Sequence, residues 1–434
     1  QDTLTTFTND KPDTVKVSYG KFRVDFSRQN MISPNRDVNL YSQDYGQRKN
    51  SDDTDFVDYE YKLKFTPDLI LGNPYYDSFW GFQGLAQMLF SDILGDHQIY
   101  LAANLWLDLK NSNIFLQYSY LPNTIDYHFS AFQSSIIFLM RNLYNNNYDN
   151  YRLRNYGVSF TSSYPMSIFN RFDLNLTLFN ASKENITNYN EESISKTIVY
   201  PSVKYVYDDV LYGSFAPTKG SRYYVEFRSV PRIFKNSINF FTLKFDYRKY
   251  WDFGYFLKLA FRASGATSFG SNPQRFYLGG VENWINYEVN SDYLLFQDPE
   301  DFAFMELITP LRGWAYSDAV GNHFFLSNIE LRFPLFTALL PGPIPILFND
   351  ILGVAFCDIG GGWIGDISNF KMSPPVVTYS SGRYKVEPNH LLLSLGVGAR
   401  AWILGLPIKL DIAWRKEYST WSKPSYLFSI NYDF

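Results

Sequence analysis

The final stretch of the chain, Pro424-Ser-Tyr-Leu-Phe-Ser-Ile-Asn-Tyr-Asp-Phe434, constrains the fold most. Apolar or aromatic side chains fall on Tyr426, Phe428, Ile430, Tyr432 and Phe434. Ser425, Ser429, Asn431 and Asp433 lie between them, and only Leu427 breaks the alternation. Side chains on a strand point alternately to two faces, so one face here needs an apolar covering and the other tolerates water. The period recurs upstream. Ile99, Leu101, Ala103, Leu105, Leu107 and Leu109 alternate with Gln98, Tyr100, Asn104 and Asp108. Phe172, Leu174, Leu176 and Leu178 alternate with Asp173, Asn175 and Thr177, and Phe241, Leu243, Phe245 and Tyr247 with Thr242, Lys244, Asp246 and Arg248. Soluble antiparallel sheets also alternate, but length separates the cases. Many runs here reach about ten residues, against about five or six in soluble sheets; a tilted membrane strand needs about 9–11.

Composition supports the membrane reading. Aromatics make up 19% of the 434 residues, with 35 Tyr and 39 Phe, yet mean hydropathy is only −0.23. A barrel with aromatic girdles, an apolar outer band and a polar lumen reconciles the two figures. No apolar run reaches the roughly 18 residues a membrane-crossing helix needs; the richest stretch, 337–348, is broken by Pro341, Pro343 and Pro345. The fold class is therefore all-β: a transmembrane antiparallel β-barrel of about sixteen strands, closed by the C-terminal strand.

Turn signals place the strands near 58–72, 78–91, 97–109, 113–121, 125–140, 151–165, 171–183, 197–208, 219–230, 238–251, 255–269, 323–336, 351–363, 390–403, 406–417 and 424–434. If the first runs outward, the outer connections include 141–150, 184–196, 270–322 and 364–389, and the inner ones are short, 337–350 being the longest. Short periplasmic turns and long outer loops are the pattern of membrane barrels. Residues 1–57 are polar and read as a periplasmic leader or tether holding at most one hairpin near 15–26; residues 58–434 form the barrel, with the long outer loop 270–322. Position 1 is Gln with no basic, apolar leader ahead of it, so the chain reads as a processed mature protein or as a fragment of a longer one.

Net charge is −4, which argues against a nucleic-acid partner. The single Cys357 excludes an internal disulfide and a cysteine-based metal cluster. His97, His128, His323 and His390 show no metal-ligand spacing, so no metal site is assigned. Gly396-Val-Gly398-Ala-Arg-Ala401 partly matches a dinucleotide glycine pattern, but it lies inside a strand, where glycine more often relieves crowding. No nucleophile elbow or phosphate loop occurs. The expectation is no enzyme, no catalytic residue and no cofactor.

A chain ending on an alternating strand with a terminal Phe resembles bacterial outer-membrane barrels, in which Tyr426, Phe428, Ile430, Tyr432 and Phe434 would be the barrel-closing signal. A more specific resemblance runs through the C-terminal half: Arg275-Phe-Tyr-Leu-Gly-Gly280, Leu311-Arg312-Gly313-Trp314, Asn328-Ile-Glu330-Leu-Arg-Phe-Pro334, Phe356-Cys-Asp358-Ile-Gly360 with Trp363, Leu395-Gly-Val-Gly398 and Phe434. In order and spacing these resemble the BamA-like outer-membrane insertase and translocase superfamily. Ala216-Pro-Thr-Lys-Gly-Ser-Arg222 resembles its Pro-x-x-Gly element. The resemblance implies that the loop tip Leu311, Arg312, Gly313 and Trp314 folds into the lumen and is held by acidic residues on neighbouring strands. Glu330 and Asp358 alternate with apolar neighbours on consecutive strands, so both can face the lumen. A guanidinium there requires anionic partners. Arg312 is expected on Asp358, Glu330 or both; a solvated loop charge is the alternative.

The chain departs from the family where residues 281–310 separate Gly279-Gly280 from the Arg-Gly motif. That insert, with Trp284, Tyr287 and the acidic Asp298, Glu300 and Asp301, reads as a surface loop, with capping the mouth or binding a partner as alternatives. Tyr61-Lys-Leu-Lys-Phe-Thr-Pro-Asp68 and Phe90-Ser-Asp-Ile-Leu-Gly-Asp-His-Gln-Ile-Tyr100 resemble barrels found behind TolB-like propellers. The resemblance implies insertion or translocation of polypeptides at the outer membrane of Gram-negative bacteria, with a periplasmic N-terminus. Implied partners are outer-membrane lipid and lipopolysaccharide, client polypeptides, and periplasmic or surface subunits. The alternative is a passive channel, or a membrane anchor for a periplasmic domain or partner, without insertase activity.

Overall fold

The computed structural model describes residues 14–19, 22–27, 61–77, 81–106, 108–141, 148–188, 190–213, 216–234, 237–254, 257–290, 298–340, 346–370, 376–380, 383–387, 391–403, 406–417, 420–431 and 434. The chain divides into two units, Gln1–Leu63 and Lys64–Phe434. In the first, strands Thr14–Tyr19 and Phe22–Ser27 pair antiparallel, with Val15 opposite Phe26.

The second unit is one large antiparallel sheet in which successive long strands pair along the chain. They are Thr66–Asp77, Gly81–Ser91, His97–Trp106, Asn113–Tyr120, Asp126–Arg141, Tyr148–Pro165, Asn170–Asn185, Ile194–Asp208, Pro217–Val230, Phe240–Asp252, Lys258–Gly270, His323–Leu340, Ile346–Trp363, Leu391–Ile403, Leu406–Glu417 and Ser425–Ile430. The alternation in the sequence becomes a difference between faces. Phe172, Leu174, Leu176 and Leu178 are exposed, as are Phe241, Leu243, Phe245 and Tyr247, whereas Thr242 and Asp246 between the latter are buried. The largest fully buried side chains include Arg312, Arg332 and Arg400. The sheet thus turns an apolar face outward and an ionic one inward, the reverse of a water-soluble fold.

Several expected strand limits shift. Most of the expected inner connection 337–350 is strand, because His323–Leu340 runs on past 336 and Ile346–Trp363 starts before 351. The first strand begins at Thr66 rather than near 58. The third long strand ends at Trp106, because Asp108 caps a 3-10 turn at Leu109–Asn111 by accepting from the Lys110 N–H. Leu109 therefore lies in a turn and not on the strand face.

The connection 271–322 folds onto the inward face. Its strands Phe276–Leu278, Glu306–Ile308 and Ala319–Gly321 form a small sheet with Phe276–Leu278 central. Helix Pro299–Ala303 leads into Phe304, which is buried with Phe179, Ile198, Val230 and Phe240 of the wall. A second cluster joins Phe276, Leu278, Ile308, Leu311 and Trp314 of the connection to Phe324, Leu326 and Leu392. The acidic patch is likewise not a solvated face: Glu300 is buried, and its Oε1 accepts from Lys196 Nζ at 2.5 Å. Asp298 lies 3.5 Å from the same ammonium and Asp301 3.6 Å from Arg275. A carboxylate beside a low-dielectric wall is retained only with a cation at hand.

Candidate functional site: a buried arginine junction

The site is built from the strands His323–Leu340 and Ile346–Trp363, whose register sets Asn328 opposite Asp358 and Glu330 opposite Phe356. Asp358, Asn328, Glu330 and Arg332 are all buried on the inward face. The tip Leu311-Arg312-Gly313-Trp314 descends onto them. Arg312 is 2% exposed, between Glu330 at 1% and Asp358 at 0%. Its Nε and Nη2 donate to Asp358 Oδ2 and Oδ1 at 2.7 and 2.6 Å, a two-pronged fork, and Nη1 donates to Glu330 Oε1 at 2.7 Å. The Arg312 N–H also donates to Asp358 Oδ2, at 3.1 Å. Asn328 Nδ2 donates to Asp358 Oδ1 at 2.8 Å and to the Pro310 carbonyl at 2.9 Å. Beneath the guanidinium lies the Phe356 ring, 3.6 Å from Cζ to centroid. Arg312 thus has both carboxylates as partners and is not a solvated loop charge.

Glu330 passes the network on. Its Oε2 accepts from Arg332 Nε and Nη2 at 3.0 and 2.7 Å. Arg332 Nη1 donates to the Pro217 carbonyl and Nη2 to the main-chain oxygen of Phe434, both at 3.0 Å. The loop tip, the Pro-x-x-Gly element and the C-terminal residue therefore share one chain of charge-assisted bonds, which are short and strong where desolvated. Sequence reasoning missed Arg332 and Asn328 as members, although both sit in the quoted Asn328–Pro334 motif at inward positions that alternate with Ile329, Leu331 and Phe333.

The glycines make the approach feasible. Gly313 has φ +85°, and a Cβ there would lie 3.1 Å from that of Ala413. Gly279 has φ +131°, and a Cβ on it would fall 1.9 Å from the Ala315 carbonyl oxygen. Gly280 exchanges backbone bonds with the tip: its N–H donates to the Trp314 carbonyl and its carbonyl accepts from the Leu311 N–H, both at 2.9 Å. Residues 281–310 are thus an excursion that returns, and the glycine pair meets the Arg-Gly motif in space. Gly396, read above as a relief of crowding, fits that role: a Cβ would lie 2.2 Å from the Phe356 ring. Trp314 is buried and donates from Nε1 to the Leu393 carbonyl at 3.3 Å. Past the tip, Asp318 Oδ2 accepts from the Ala315 N–H and Oδ1 from Asn290 Nδ2, at 2.8 and 3.1 Å. Burial nonetheless holds the Asp318 carboxyl above the usual carboxylate range.

On the terminal strand, Tyr426 is exposed, while Leu427 and Ser429 are buried inward. Phe428 and Ile430 are part-exposed, Phe434 is held by Arg332, and Tyr432 lies outside the described residues. Leu427 breaks the alternation because it packs on the inward side, with Trp284, Val354 and Phe356. Among the described residues, no group of three or more His, Cys, Asp or Glu gathers as metal ligands would.

An apolar outward face, an ionic inward face and a long connection pinned on that ionic face define a membrane protein that crosses with strands. The Omp85 superfamily domain matches residues 111–434, so the chain belongs to the Omp85 superfamily and is a protein of the bacterial outer membrane. The crystal structure of BamA from Haemophilus ducreyi lacking POTRA domains 1–3 is similar in fold, with TM-score 0.53 and 15% identity over 85% of this chain and 70% of that one. CdiB from Escherichia coli matches at TM-score 0.44 and 11% identity over 86% of this chain and 63% of its own. CdiB from Acinetobacter baumannii matches at TM-score 0.44 and 12% identity over 86% and 65%. No curated protein matches the chain in sequence.

Proposed function

We propose that this chain inserts or translocates polypeptides at the outer membrane through a weak seam between its first and last strands. In this reading the sheet closes into a barrel of about sixteen strands with its N-terminus in the periplasm, and residues 1–57 are a periplasmic leader. The reading includes no enzymatic step and no cofactor. Family membership supports it, as does a strand order that runs on from Ser425–Ile430 to Thr66–Asp77. Leu69, Ile70 and Leu71 are consecutive and all exposed, so neither face of the first strand is packed as in the rest of the wall, which favours a seam there. The observation that carries the reading is the Arg312–Asp358–Glu330 junction. It braces one long connection against the wall and, through Glu330 and Arg332, reaches Phe434 beyond the terminal strand, so that the wall keeps its form while an edge opens.

The test uses the full chain in lipid vesicles. Addition of a urea-unfolded outer-membrane barrel client is followed by the client's protease-resistant, folded fraction. Faster folding than in protein-free vesicles is expected, with Arg312→Ala slower than wild type. No acceleration, together with steady leakage of a small entrapped dye, would instead make the chain a passive channel.

A further inference from the structure

The outward face of four neighbouring strands changes character within one step near the long connection. Ala131, Val158, Leu178 and Val199 stand side by side across Asp126–Arg141, Tyr148–Pro165, Asn170–Asn185 and Ile194–Asp208, an apolar row. The next row on the same face is Gln133, Tyr156, Asn180 and Thr197, and the one after it Ser135, Arg154, Ser182 and Ser195. The positions between them on the other face, Leu153, Phe179 and Ala181, are buried inward. Aromatic rings mark both ends of the apolar stretch. Tyr156 is exposed at this end, Tyr164 and Phe172 at the other, where Phe172 lies 5.0 Å from Tyr205. From Tyr156 to Tyr164 the strand covers about 26 Å, roughly 20 Å of height at a tilt of about 40°. That is most of the apolar band of a membrane wall, about 25 Å tall, so the polar rows lie at headgroup level. Further round the wall the same strand ends stay apolar, with Ile233, Phe241 and Phe269 exposed. The polar shelf is a local feature.

Two arginines at this rim are in opposite circumstances. Arg152 is saturated: Nε donates to Asn111 Oδ1 at 2.8 Å, Nη1 to Glu184 Oε2 at 3.1 Å and Nη2 to Asp108 Oδ2 at 3.0 Å. Arg154 has neither an ion pair nor a side-chain hydrogen bond among the described residues. Its guanidinium lies over the Tyr156 ring, 4.6 Å from Cζ to centroid, which steadies its plane and leaves its N–H groups unclaimed. Opposite it in the register, Ser135 is buried and its hydroxyl has no partner. On the other side Ser182 Oγ donates to the Arg154 carbonyl at 3.3 Å, and Ser195 Oγ donates to Asn180 Oδ1 at 2.9 Å. A guanidinium at the edge of hydrocarbon, left without a carboxylate beside a neighbour that has two, calls for an anion from outside the chain.

We propose that Arg154 and the shelf around it bind the phosphorylated sugar headgroup of an outer-leaflet glycolipid, the lipid A part of lipopolysaccharide. The planar fork of the guanidinium suits a phosphate, which it takes in two parallel bonds. The hydroxyls of Ser135 and Ser182 and the amide of Asn180 match the hydroxyls of the attached sugar. The apolar row that begins at Val158 and Leu178 meets the acyl chains. The inference rests on the orientation proposed above, with the N-terminus in the periplasm, which sets this end of the strands in the outer leaflet. It needs no insertase activity.

The test is native mass spectrometry of the full chain in detergent micelles, titrated with diphosphoryl lipid A or with phosphatidylglycerol, and with inorganic phosphate as competitor. Wild type is expected to bind lipid A more tightly than phosphatidylglycerol. Arg154→Gln should weaken lipid A binding about tenfold or more. Arg154→Lys, which keeps the charge and loses the fork, should fall between the two. Arg171→Gln removes an exposed arginine from the far end of the neighbouring strand and should bind as wild type does. Unchanged tryptophan emission in each variant excludes misfolding as the cause of a loss. Equal affinity of wild type and Arg154→Gln for lipid A would overturn the inference. So would displacement of lipid A by excess inorganic phosphate, the mark of a site for free anions. Arg154-dependent binding of phosphatidylglycerol as tight as that of lipid A would overturn it as well, and is what the opposite orientation predicts. Client folding measured on the same preparations separates the two claims: Arg154-dependent lipid A binding without accelerated folding retains the site and removes the insertase reading.

Discussion

Arg312 shows what a single residue contributes to this wall. Its guanidinium neutralises two buried carboxylates that lie one strand apart. Removing one partner of a buried pair leaves the other charge desolvated, typically at a cost of about 3–5 kcal/mol. Arg312→Ala should therefore lower the urea midpoint of the detergent-solubilised protein, followed by its tryptophan fluorescence. Arg312→Lys should recover only part, because an ammonium cannot reproduce the side-on fork. An unchanged midpoint for the alanine variant would mean that the junction adds nothing to stability. Gly279 makes a second case. At φ +131° with the Ala315 carbonyl against it, Gly279→Ala cannot be absorbed by a rotamer change. Faster protease cleavage within 271–322 is the expected outcome, with the wall strands remaining resistant.

At the scale of elements, the two faces of one strand should respond oppositely to the same substitution. On Asn170–Asn185, Leu176 points outward and Thr177 is buried inward. Arginine on a lipid-facing position near the bilayer centre costs about 2–4 kcal/mol. Leu176→Arg should reduce folding yield into vesicles, while Asn175→Arg, on the face that already holds ion pairs, should be better tolerated. Equal yields would argue that hydrocarbon does not cover the outward face. The connection 271–322 is the element least legible in the sequence. Its acidic residues suggest a solvated loop, yet Glu300 meets Lys196 and Phe304 enters an aromatic cluster with Phe179 and Phe240. Nothing periodic marks these residues, because each is buried by a different wall strand.

For the whole molecule, the governing balance is between an outer surface with large exposed apolar side chains and an interior of paired charges. A surface of that kind cannot remain dispersed in water. The purified chain is expected to be monodisperse in detergent, by light scattering and size exclusion, and to aggregate once detergent is removed. A stable detergent-free monomer would contradict a membrane role. The all-β class and most strand limits can be read from the sequence, since a period of two over ten residues leaves little choice. The pairing of Arg312 can be read only through the family resemblance, because charge and alternation alone fit a solvated arginine equally well.

Local chemistry by itself thus determined which residues extend and which face each side chain takes: both follow from the geometry of a single strand. What the tertiary structure alone decided are the long-range meetings: Gly279 beside the tip across an insert, Arg332 on the Phe434 carbonyl, and residues 282–286 on the terminal strand. These depend on where distant segments land on the ionic inward face. There, a buried donor or acceptor gains from any partner within reach, whatever its position in the chain.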